Sequence, residues 1–211
     1  MPAPHWLKLF IIFDFSIMIL PIVAYGDTVL KKTAKEVTKG YPELANIIAD
    51  MYETMHNAKG VGLAAPQIGL SIRLFVVDAS AYAGDDDAEE NKEKQDLKDF
   101  KKVFINARMI AEKGNKWKFN EGCLSIPTIR EDVERMPSIM LRYLDEQFME
   151  HEEHFEGIKA RIIQHEYDHI DGILFTDRIS PLRKQLLKGK LRDVSRGLVD
   201  VSYKMKFPLK K

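Results

Sequence analysis

Apolar side chains recur every three or four residues in three parts of the chain, and this spacing places them on one face of an α-helix. The first such run follows Pro42, and its apolar members are Leu44, Ile47, Ile48, Met51 and Met55. We predict a helix from Pro42 to about Asn57, because Gly60 follows closely and favours termination. A second helix is predicted over about 158–170, and a third starts at Leu182.

Short runs rich in β-branched and aromatic residues predict strands between these helices. The clearest is SIRLFVVD at 71–78, and further candidates are 102–107, 116–120, 139–145 and the stretch around Phe155. The strands cluster together and do not alternate regularly with helices, which is typical of an α+β fold and not of a doubly wound parallel sheet. We therefore predict a single compact domain in which antiparallel or mixed strands pack around a central helix.

Length and composition fit one globular domain with additions. The chain has 211 residues, of which 45% are hydrophobic and 30% are charged, and this is ordinary for a protein with a buried core. Lys and Arg together number 32, as do Asp and Glu, so no overall charge favours nucleic acid or an acidic membrane. Cys123 is the single cysteine, which excludes an intramolecular disulfide and favours a reducing compartment.

The most apolar stretch, at 7–24, raises the question of a membrane segment. A membrane-spanning helix needs about 20 apolar residues, and here Asp14 and Pro21 interrupt the run. A signal peptide is also disfavoured, because Asp14 lies inside the apolar block and no clear small-residue cleavage site follows it. We predict no stable membrane insertion, and we interpret residues 1–17 as an N-terminal extension or a misassigned start, with Met18 as the working start.

Charge is unevenly distributed although the total is neutral. Residues 85–99 contain eight acidic and three basic side chains, a net of −5, within a stretch at about 81–99 that we interpret as an acidic surface insertion in loop form. Residues 183–211 contain ten basic and two acidic side chains, a net of +8. Residues 181–211 are therefore predicted to form a basic C-terminal helix and tail, either a docking surface for RNA or a solvated amphipathic helix.

The predicted second helix carries the pattern HExxH. His165 and His169 are four residues apart, so both imidazoles project from one helical face and suit a single metal ion. Glu166 is the next residue after His165 on the helix, so it lies beside the face that carries the two histidines. From there its carboxylate can transfer protons next to an open coordination position of the metal. The alternative is a pair of surface histidines beside carboxylates.

A catalytic metal needs a third protein ligand and one open position. Cys123, in EGCLS, is the best candidate, because the chain after His169 contains no further His or Glu and a thiolate binds transition metals well. The alternative is that Cys123 is a small core residue. Separately, GVGLAAPQ at 60–67 permits close backbone approach by a ligand, and Gln67 offers an amide donor to an oxyanion. A tight loop packed on the core is the alternative there.

The three segments GVGLAAPQ, EGCLS and QHEYDH, in this order, together resemble the peptide deformylase family. The resemblance extends over about residues 18–180, since the stretch MILPI at Met18 and the Gly26-Asp27 pair also look like the amino-terminal part of the family. It implies a deformylase-like catalytic domain, in which the helix with the HExxH pattern is central. The implied activity is that of a cytoplasmic, metal-dependent hydrolase that removes the formyl group from the N-terminal formylmethionine of nascent chains and releases formate.

The resemblance also implies roles for individual residues of this sequence. The implied metal ligands are Cys123, His165 and His169. Glu166 would be the general base and acid, while Gln67 and the backbone N–H of Leu124 would stabilise the oxyanion. The implied metal is Fe²⁺, which Zn²⁺, Ni²⁺ or Co²⁺ can replace, and the ligand types do not decide between these ions.

Substrate contacts are less directly visible in the sequence. The backbone of Val61 and Gly62 is a candidate for pairing with an extended peptide. Ile162, on the metal-facing stripe, is a candidate wall of the methionine pocket or an ordinary packing residue. Glu121 and Asp168 are candidate hydrogen-bond acceptors for the metal-binding histidines, which usually donate their second N–H to such a group.

Two other functions remain open at this point. A metallopeptidase of the HExxH kind would cut internal peptide bonds. A non-catalytic protein would use the metal for structure, which normally requires four protein ligands. The basic segment 183–211 suggests a further hypothesis, which is contact with the ribosome, and we expect no recognition of a specific nucleic-acid sequence.

Overall fold

A computed structural model describes residues 17–83 and 92–209 of the chain. Predictions that fall on 1–16 and on 84–91, in the N-terminal extension and the acidic insertion, lie outside these described residues. In chain order the described elements are β1 (Ile22–Val23), α1 (Leu44–Asn57), β2 (Gly62–Ala64), β3 (Leu74–Asp78), α2 (Lys92–Lys98), β4 (Lys101–Lys113), β5 (Trp117–Cys123), β6 (Ile126–Arg135), β7 (Ser138–Leu144), β8 (Glu150–Glu156), α3 (Gly157–Ile170), α4 (Pro181–Arg196) and β9 (Met205–Lys206).

One sheet forms the framework of the fold. Its five strands lie in the order β2-β3-β4-β7-β8, and every neighbouring pair is antiparallel. Alternate residues of β3 point to opposite sides, so Phe75 and Val77 enter the core beneath α3, while Leu74 and Val76 enter the core beneath α1. The sheet therefore lies between two helices, and the predicted α+β domain is confirmed.

A separate hairpin carries the cysteine. β5 and β6 pair from Trp117 and Arg135 to Cys123 and Ile126, and β1 pairs in parallel with β9. A third core between the hairpin, α4 and β1 contains Val23, Leu30, Ile126, Val133, Phe175, Leu191 and Val194. Hydrogen bonds from β5 and β6 to α3 hold the hairpin against the helix, so the turn of the hairpin meets the helical face that bears the histidines.

The last helix has clear signals at both ends. Pro181 occupies the first position of α4, and the Ser180 hydroxyl accepts a hydrogen bond of 3.3 Å from the Arg183 N–H. Gly197 ends the helix with a φ of 73°, a left-handed conformation that glycine adopts without strain. The third predicted helix is therefore present, and the chain turns back towards β1 after it.

Asp177 links the first turn of α4 to the N-terminal part of the domain. Its carboxylate accepts a hydrogen bond of 2.6 Å from Lys184 Nζ and also pairs with Lys31. Burial alone would raise the pKa of Asp177, but the hydrogen bonds from Lys184, Lys31 and the Leu174 N–H outweigh it and lower that pKa to about 2. The ionised carboxylate therefore stabilises this junction at neutral pH.

Several strands differ from the sequence-based predictions. The strand predicted at 71–78 begins only at Leu74, and the one predicted at 102–107 runs over Lys101–Lys113. β6 was not predicted at all. Its inward positions are Ile129, Glu131, Val133 and Arg135, so two buried charged residues interrupt the apolar alternation that would have indicated a strand.

The prediction that the acidic insertion is a loop is wrong for its second part. Lys92–Lys98 forms α2, and Leu97 is buried in the core beneath α3. One apolar side chain is enough to attach this short helix to the domain, although its neighbours are charged. In the tail after α4, Met205–Lys206 pairs as the short strand β9.

Candidate metal centre

α3 and the hairpin bring three metal-binding side chains together. The Sγ of Cys123 and a ring nitrogen of each of His165 and His169 all lie within 4.8 Å of one another. Cys123 Sγ is 3.3 Å from His169 Nε2. The two histidines lie on successive turns of one helical face, as their spacing predicts, and Cys123 is the last residue of β5. The three predicted ligands therefore converge on one point.

The donor set fits a catalytic transition metal. One thiolate and two imidazoles are ligands that zinc, iron, nickel and cobalt all accept, and three protein ligands leave a position for water or substrate. Burial, followed by the neighbouring charge of His165, holds the pKa of His169 well below its usual range. This imidazole is therefore neutral, which is the form that coordinates a metal.

Glu166 is a buried carboxylate beside these three ligands. The residue is 4% exposed, and its Oε2 has no hydrogen-bond partner among the described residues. Burial is the main cause that raises the pKa of Glu166 to about 7. Gly62 leaves the space that the carboxylate occupies, because a Cβ at this position would lie 2.4 Å from Glu166 Oε1. The site thus contains a group that can accept and release a proton near neutral pH.

Gln67 is oriented by hydrogen bonds at both ends of its amide. Its Oε1 accepts a hydrogen bond of 2.8 Å from the Ala64 N–H, which directs Nε2 towards Ser125 Oγ at 3.3 Å and Cys123 Sγ at 3.5 Å. Leu124 follows Cys123 in the turn between β5 and β6 and lines the same cavity as Gln67. Both predicted oxyanion donors are therefore beside the metal-binding residues.

A buried ion network fixes the first histidine. Glu121 Oε2 lies 2.9 Å from His165 Nδ1, and the two Glu121 oxygens accept hydrogen bonds of 2.7 and 2.9 Å from Arg135. Burial opposes ionisation of Glu121, but the hydrogen bonds with Arg135 and His165 outweigh it and hold the pKa of this carboxyl well below its usual range. Glu121 therefore contacts a histidine as predicted, and its charge is fully compensated.

The second predicted acceptor behaves differently. Asp168 accepts a hydrogen bond of 2.7 Å from Arg135 and pairs with Arg178, so it supports the network around Glu121 and contacts neither histidine. His169 Nδ1 is buried without a hydrogen-bond partner in the described part of the chain. The prediction that Asp168 orients a histidine directly is therefore wrong, because the two arginines occupy its oxygens.

A cavity of about 540 Å³ opens beside the metal-binding residues. The predicted substrate contacts Val61, Gly62 and Ile162 all line it. β2, which contains Gly62, is an edge strand of the five-stranded sheet, and an edge strand offers unpaired backbone groups to an extended peptide. Ile162 is 5% exposed and belongs to the core beneath α3, so it is a packing residue, and its role as a wall of the methionine pocket stays a prediction.

Sequence reasoning missed residues that the fold brings to the site from a distance. Arg161 donates a hydrogen bond of 3.0 Å to Glu121, and the hydroxyl of Tyr203 donates one of 2.8 Å to the Leu124 carbonyl. Arg135 and Glu121 both lie on inward positions of the β5–β6 hairpin, but the register pairs Arg135 with Trp117 and Glu121 with Glu131. Their contact depends on the length of the arginine side chain, so the register alone does not predict it, and no local motif marks Tyr203.

Comparison with known proteins identifies this arrangement. Residues 19–185 match the model of the family described as Polypeptide deformylase. A peptide deformylase of Christiangramia forsetii is 56% identical over 191 residues, which cover 90% of this chain and 97% of that protein. One of Flavobacterium psychrophilum is 55% identical over 194 residues, covering 92% of this chain and 100% of that protein.

Solved structures agree with the sequence matches. The crystal structure of a peptide deformylase from Legionella pneumophila has a TM-score of 0.71 at 35% identity and covers 86% of this chain and 98% of that one. The peptide deformylase from Thermus thermophilus has a TM-score of 0.71 at 37% identity, with coverage of 84% and 98%. The likeness therefore extends over nearly the whole length of these structures.

Fold and site together define a hydrolase with a Cys/His/His metal-binding group, formed by an HExxH helix and the end of a neighbouring strand. The sequence matches make the assignment specific: the chain belongs to the polypeptide deformylase family. Its reaction is the removal of the formyl group from the N-terminus of a polypeptide, and the resemblance read from the three motifs is confirmed. This function is favoured over both an HExxH peptidase and a non-catalytic metal protein.

Among the helices of the described residues, none has the length and apolar character to span a bilayer.

Proposed function

We propose that this chain deformylates the N-terminal formylmethionine of nascent polypeptides, with Cys123, His165 and His169 as ligands of a catalytic metal. The observation that carries the assignment is the buried carboxylate of Glu166, whose Oε2 lacks a partner among the described residues beside that ligand set. A structural site would be closed by a fourth protein ligand and would have no use for a free acid. A hydrolytic site requires both an open position and a base.

Glu166 is assigned as the general base and acid. When bound, the metal supplies Lewis-acid polarisation and lowers the pKa of the attacking water. The unpartnered Oε2 of Glu166 accepts the proton of that water and later returns it to the leaving amine nitrogen. Its pKa of about 7 supports this assignment, because a carboxyl near the working pH exchanges protons in both directions.

Gln67 and Leu124 are assigned to the oxyanion that develops on the formyl oxygen when water attacks the formyl carbon. Gln67 is held in place before any substrate arrives, since its Oε1 is bound to the Ala64 N–H. A preorganised donor stabilises developing charge without having to reorient during the reaction. The backbone N–H of Leu124 is the second donor, and the turn between β5 and β6 fixes its position.

The peptide is proposed to bind along β2. Backbone groups of Val61 and Gly62 pair with the extended chain, and Gly62 lies directly against the Glu166 side chain, which fills the space that a Cβ would take. The methionine side chain packs against Ile162, which lines the cavity next to His165 and Glu166. This mode uses main-chain hydrogen bonds for affinity and one apolar wall for specificity.

The proposed native metal is Fe²⁺, and Zn²⁺, Ni²⁺ or Co²⁺ are expected to substitute for it. The support is chemical, because a thiolate and two imidazoles bind all four ions. We propose a cytoplasmic location, which fits the unpaired Cys123. As domain organisation we propose an N-terminal extension at 1–17, a deformylase-like catalytic domain at 18–180 with an acidic insertion at about 81–99, and a basic C-terminal helix and tail at 181–211.

The ribosome is a proposed partner of the basic segment 183–211. Five basic side chains on α4 are exposed; Arg183 pairs with Glu131, and the other four are Lys188, Lys190, Arg192 and Arg196. Exposed cations of this kind bind RNA phosphates in a salt-dependent way. A variant with glutamate at these four positions is expected to lose co-sedimentation with ribosomes at low salt, while deformylation of a free peptide continues. Unchanged co-sedimentation removes this partner.

The central experiment is anaerobic purification followed by metal analysis and measurement of formate release. We expect about one metal ion per chain and formate from a formyl-Met peptide, with no product from the acetylated peptide and no cleavage of internal bonds. Cys123→Ala should lose both metal and activity, whereas Glu166→Ala should keep the metal and lose activity. Substantial turnover by Glu166→Ala contradicts the proton-transfer role. Bound metal without formate release contradicts the proposed function.

A further inference from the structure

The chain after α4 returns to the active site. Asp200, Val201, Ser202 and Tyr203, which we call the C-terminal segment, line the substrate cavity together with Cys123 and Leu124. Pairing of β9 with β1 fixes the chain directly after this segment, since the Ile22 N–H donates to the Lys204 carbonyl and the Ala24 N–H to the Lys206 carbonyl, both at 2.9 Å. The segment is thus a wall of the cavity.

Tyr203 is the residue of this segment that reaches the hairpin turn. Its hydroxyl donates a hydrogen bond of 2.8 Å to the Leu124 carbonyl. The ring is half-buried and packs against the core beneath α1. The Leu124 side chain packs on Gly60, where a Cβ would lie 2.7 Å from Leu124 Cδ1. Leu124 is therefore held by one hydrogen bond and one close apolar contact.

The neighbouring residues of the turn are anchored independently. Cys123 is paired with Ile126 at the end of the hairpin, and the Ser125 carbonyl accepts a hydrogen bond of 2.8 Å from the Tyr25 N–H. The two peptide units that flank Leu124 can then rotate only through ψ of Cys123, φ and ψ of Leu124 and φ of Ser125. A fixed Leu124 carbonyl holds the second of these units in place and so narrows the directions in which the Leu124 N–H can point.

We infer that Tyr203 is a positioning residue for deformylation, in which its hydroxyl fixes the Leu124 peptide so that the Leu124 N–H points at the developing oxyanion. The inference rests on the proposed function of Leu124 as an oxyanion donor. Tyr203 lies beyond the segment 19–185 that matches the family model. The three motifs therefore supply the catalytic groups, and the C-terminal segment of this chain completes their geometry.

The test is Tyr203→Phe, which removes the hydroxyl and keeps the ring. Removing one oxyanion donor lowers kcat by about 10²–10³-fold, so a donor that is present but less well aimed should lower it by about tenfold. We expect KM within about twofold of the wild type, because the donor acts on the transition state and not on the bound substrate. Metal content and Tm should not change. The matched control is Tyr41→Phe, since Tyr41 lies in the groove beside α1 and does not line the substrate cavity.

The outcomes separate this inference from the proposed function. If the wild type releases no formate, the proposed function fails whatever Tyr203 does. If the wild type is active and kcat of Tyr203→Phe equals that of Tyr41→Phe, the positioning role is refuted. A rise in KM alone would show that Tyr203 is only a wall of the cavity, and a parallel loss of metal or Tm would show a structural role. A shifted Leu124 amide resonance in the ¹⁵N-leucine-labelled protein supports the inference independently of activity.

Discussion

A methyl group at Gly62 provides a direct test of the proposed catalytic geometry. Gly62 lies in β2, where the extended backbone accepts alanine without strain. The Cβ of Gly62→Ala would lie 2.4 Å from Oε1 and 2.7 Å from Cδ and Cγ of Glu166, whereas ordinary van der Waals contact begins at 3.4 Å. The Glu166 side chain is flexible, so we expect it to move rather than the strand.

The size of this movement determines the expected effect. To restore ordinary contact the carboxylate of Glu166 has to retreat by about 1 Å, and a misplacement of this size in a catalytic group lowers turnover by about 10²-fold. The three atoms nearest to the new methyl group all belong to Glu166 and none to a metal ligand, so metal content should stay at the wild-type value. Gly62→Ala is therefore expected to be a folded, metal-loaded protein with kcat reduced by about two orders of magnitude.

The assay is formate release under saturating formyl-Met peptide, with metal analysis and thermal unfolding on the same preparation. Gly189→Ala is the matched control, because a Cβ at Gly189 meets no atom within 4 Å and the residue lies inside α4. That variant should keep full activity and gain about 0.5–1 kcal/mol of stability. A Gly62→Ala protein with more than half of the wild-type kcat would refute the placement of Glu166 as the base.

Three further variants probe other parts of the site and fold. Gln67→Ala should fold and bind metal but lose about 10²–10³-fold in kcat, measured by formate release, and a smaller loss than tenfold contradicts its oxyanion role. Arg135→Met should lower the free energy of unfolding in urea by about 3–5 kcal/mol, because the buried carboxylates of Glu121 and Asp168 would both lose the arginine that they share; a change below 1 kcal/mol contradicts this. Asp177 has a folded pKa of about 2, below its ordinary value of 3.8, so its contribution is present above pH 4 and is lost as pH falls towards 2. Allowing for its partial exposure, Asp177→Asn should remove about 1 kcal/mol of that acid-sensitive stability, seen as a flatter curve of unfolding free energy against pH between 4 and 2.

Local patterns predict those parts of the site that lie on one element. The i and i+4 spacing of His165 and His169 is a property of a single helix, so the sequence alone determines that both rings face one way. Cys123 required a further step, since its role depends on a hairpin turn that meets α3. That step succeeded through elimination of other ligands and through the motif resemblance, not through any prediction of the tertiary contact.

The missed features share a physical cause. Charged residues are normally expected at the surface, so a hydrophobicity pattern does not reveal the charged residues that are buried. β6 alternates correctly between inside and outside, but Glu131 and Arg135 occupy two inner positions and remove the apolar signal. These side chains tolerate burial only because partners from other elements neutralise them, Arg183 in one case and Glu121 in the other. Such partners are distant in sequence, so no window of neighbouring residues reveals them.

The short pairing of β1 with β9 determines how the enzyme responds to warming. Each strand has two residues, and the chain beyond Tyr203 is joined to the domain by backbone hydrogen bonds that include those from Ile22 and Ala24 at 2.9 Å and from Leu209 to Ser195 at 3.1 Å. A pair of two-residue strands opens at a lower free energy than a five-stranded sheet does. When it opens, Leu124 loses its partner while α3 and the metal ligands stay folded. Turnover should therefore decline reversibly at temperatures below the melting temperature of the domain. The cause of this decline would be local opening of the β1–β9 pair, and not unfolding of the whole domain.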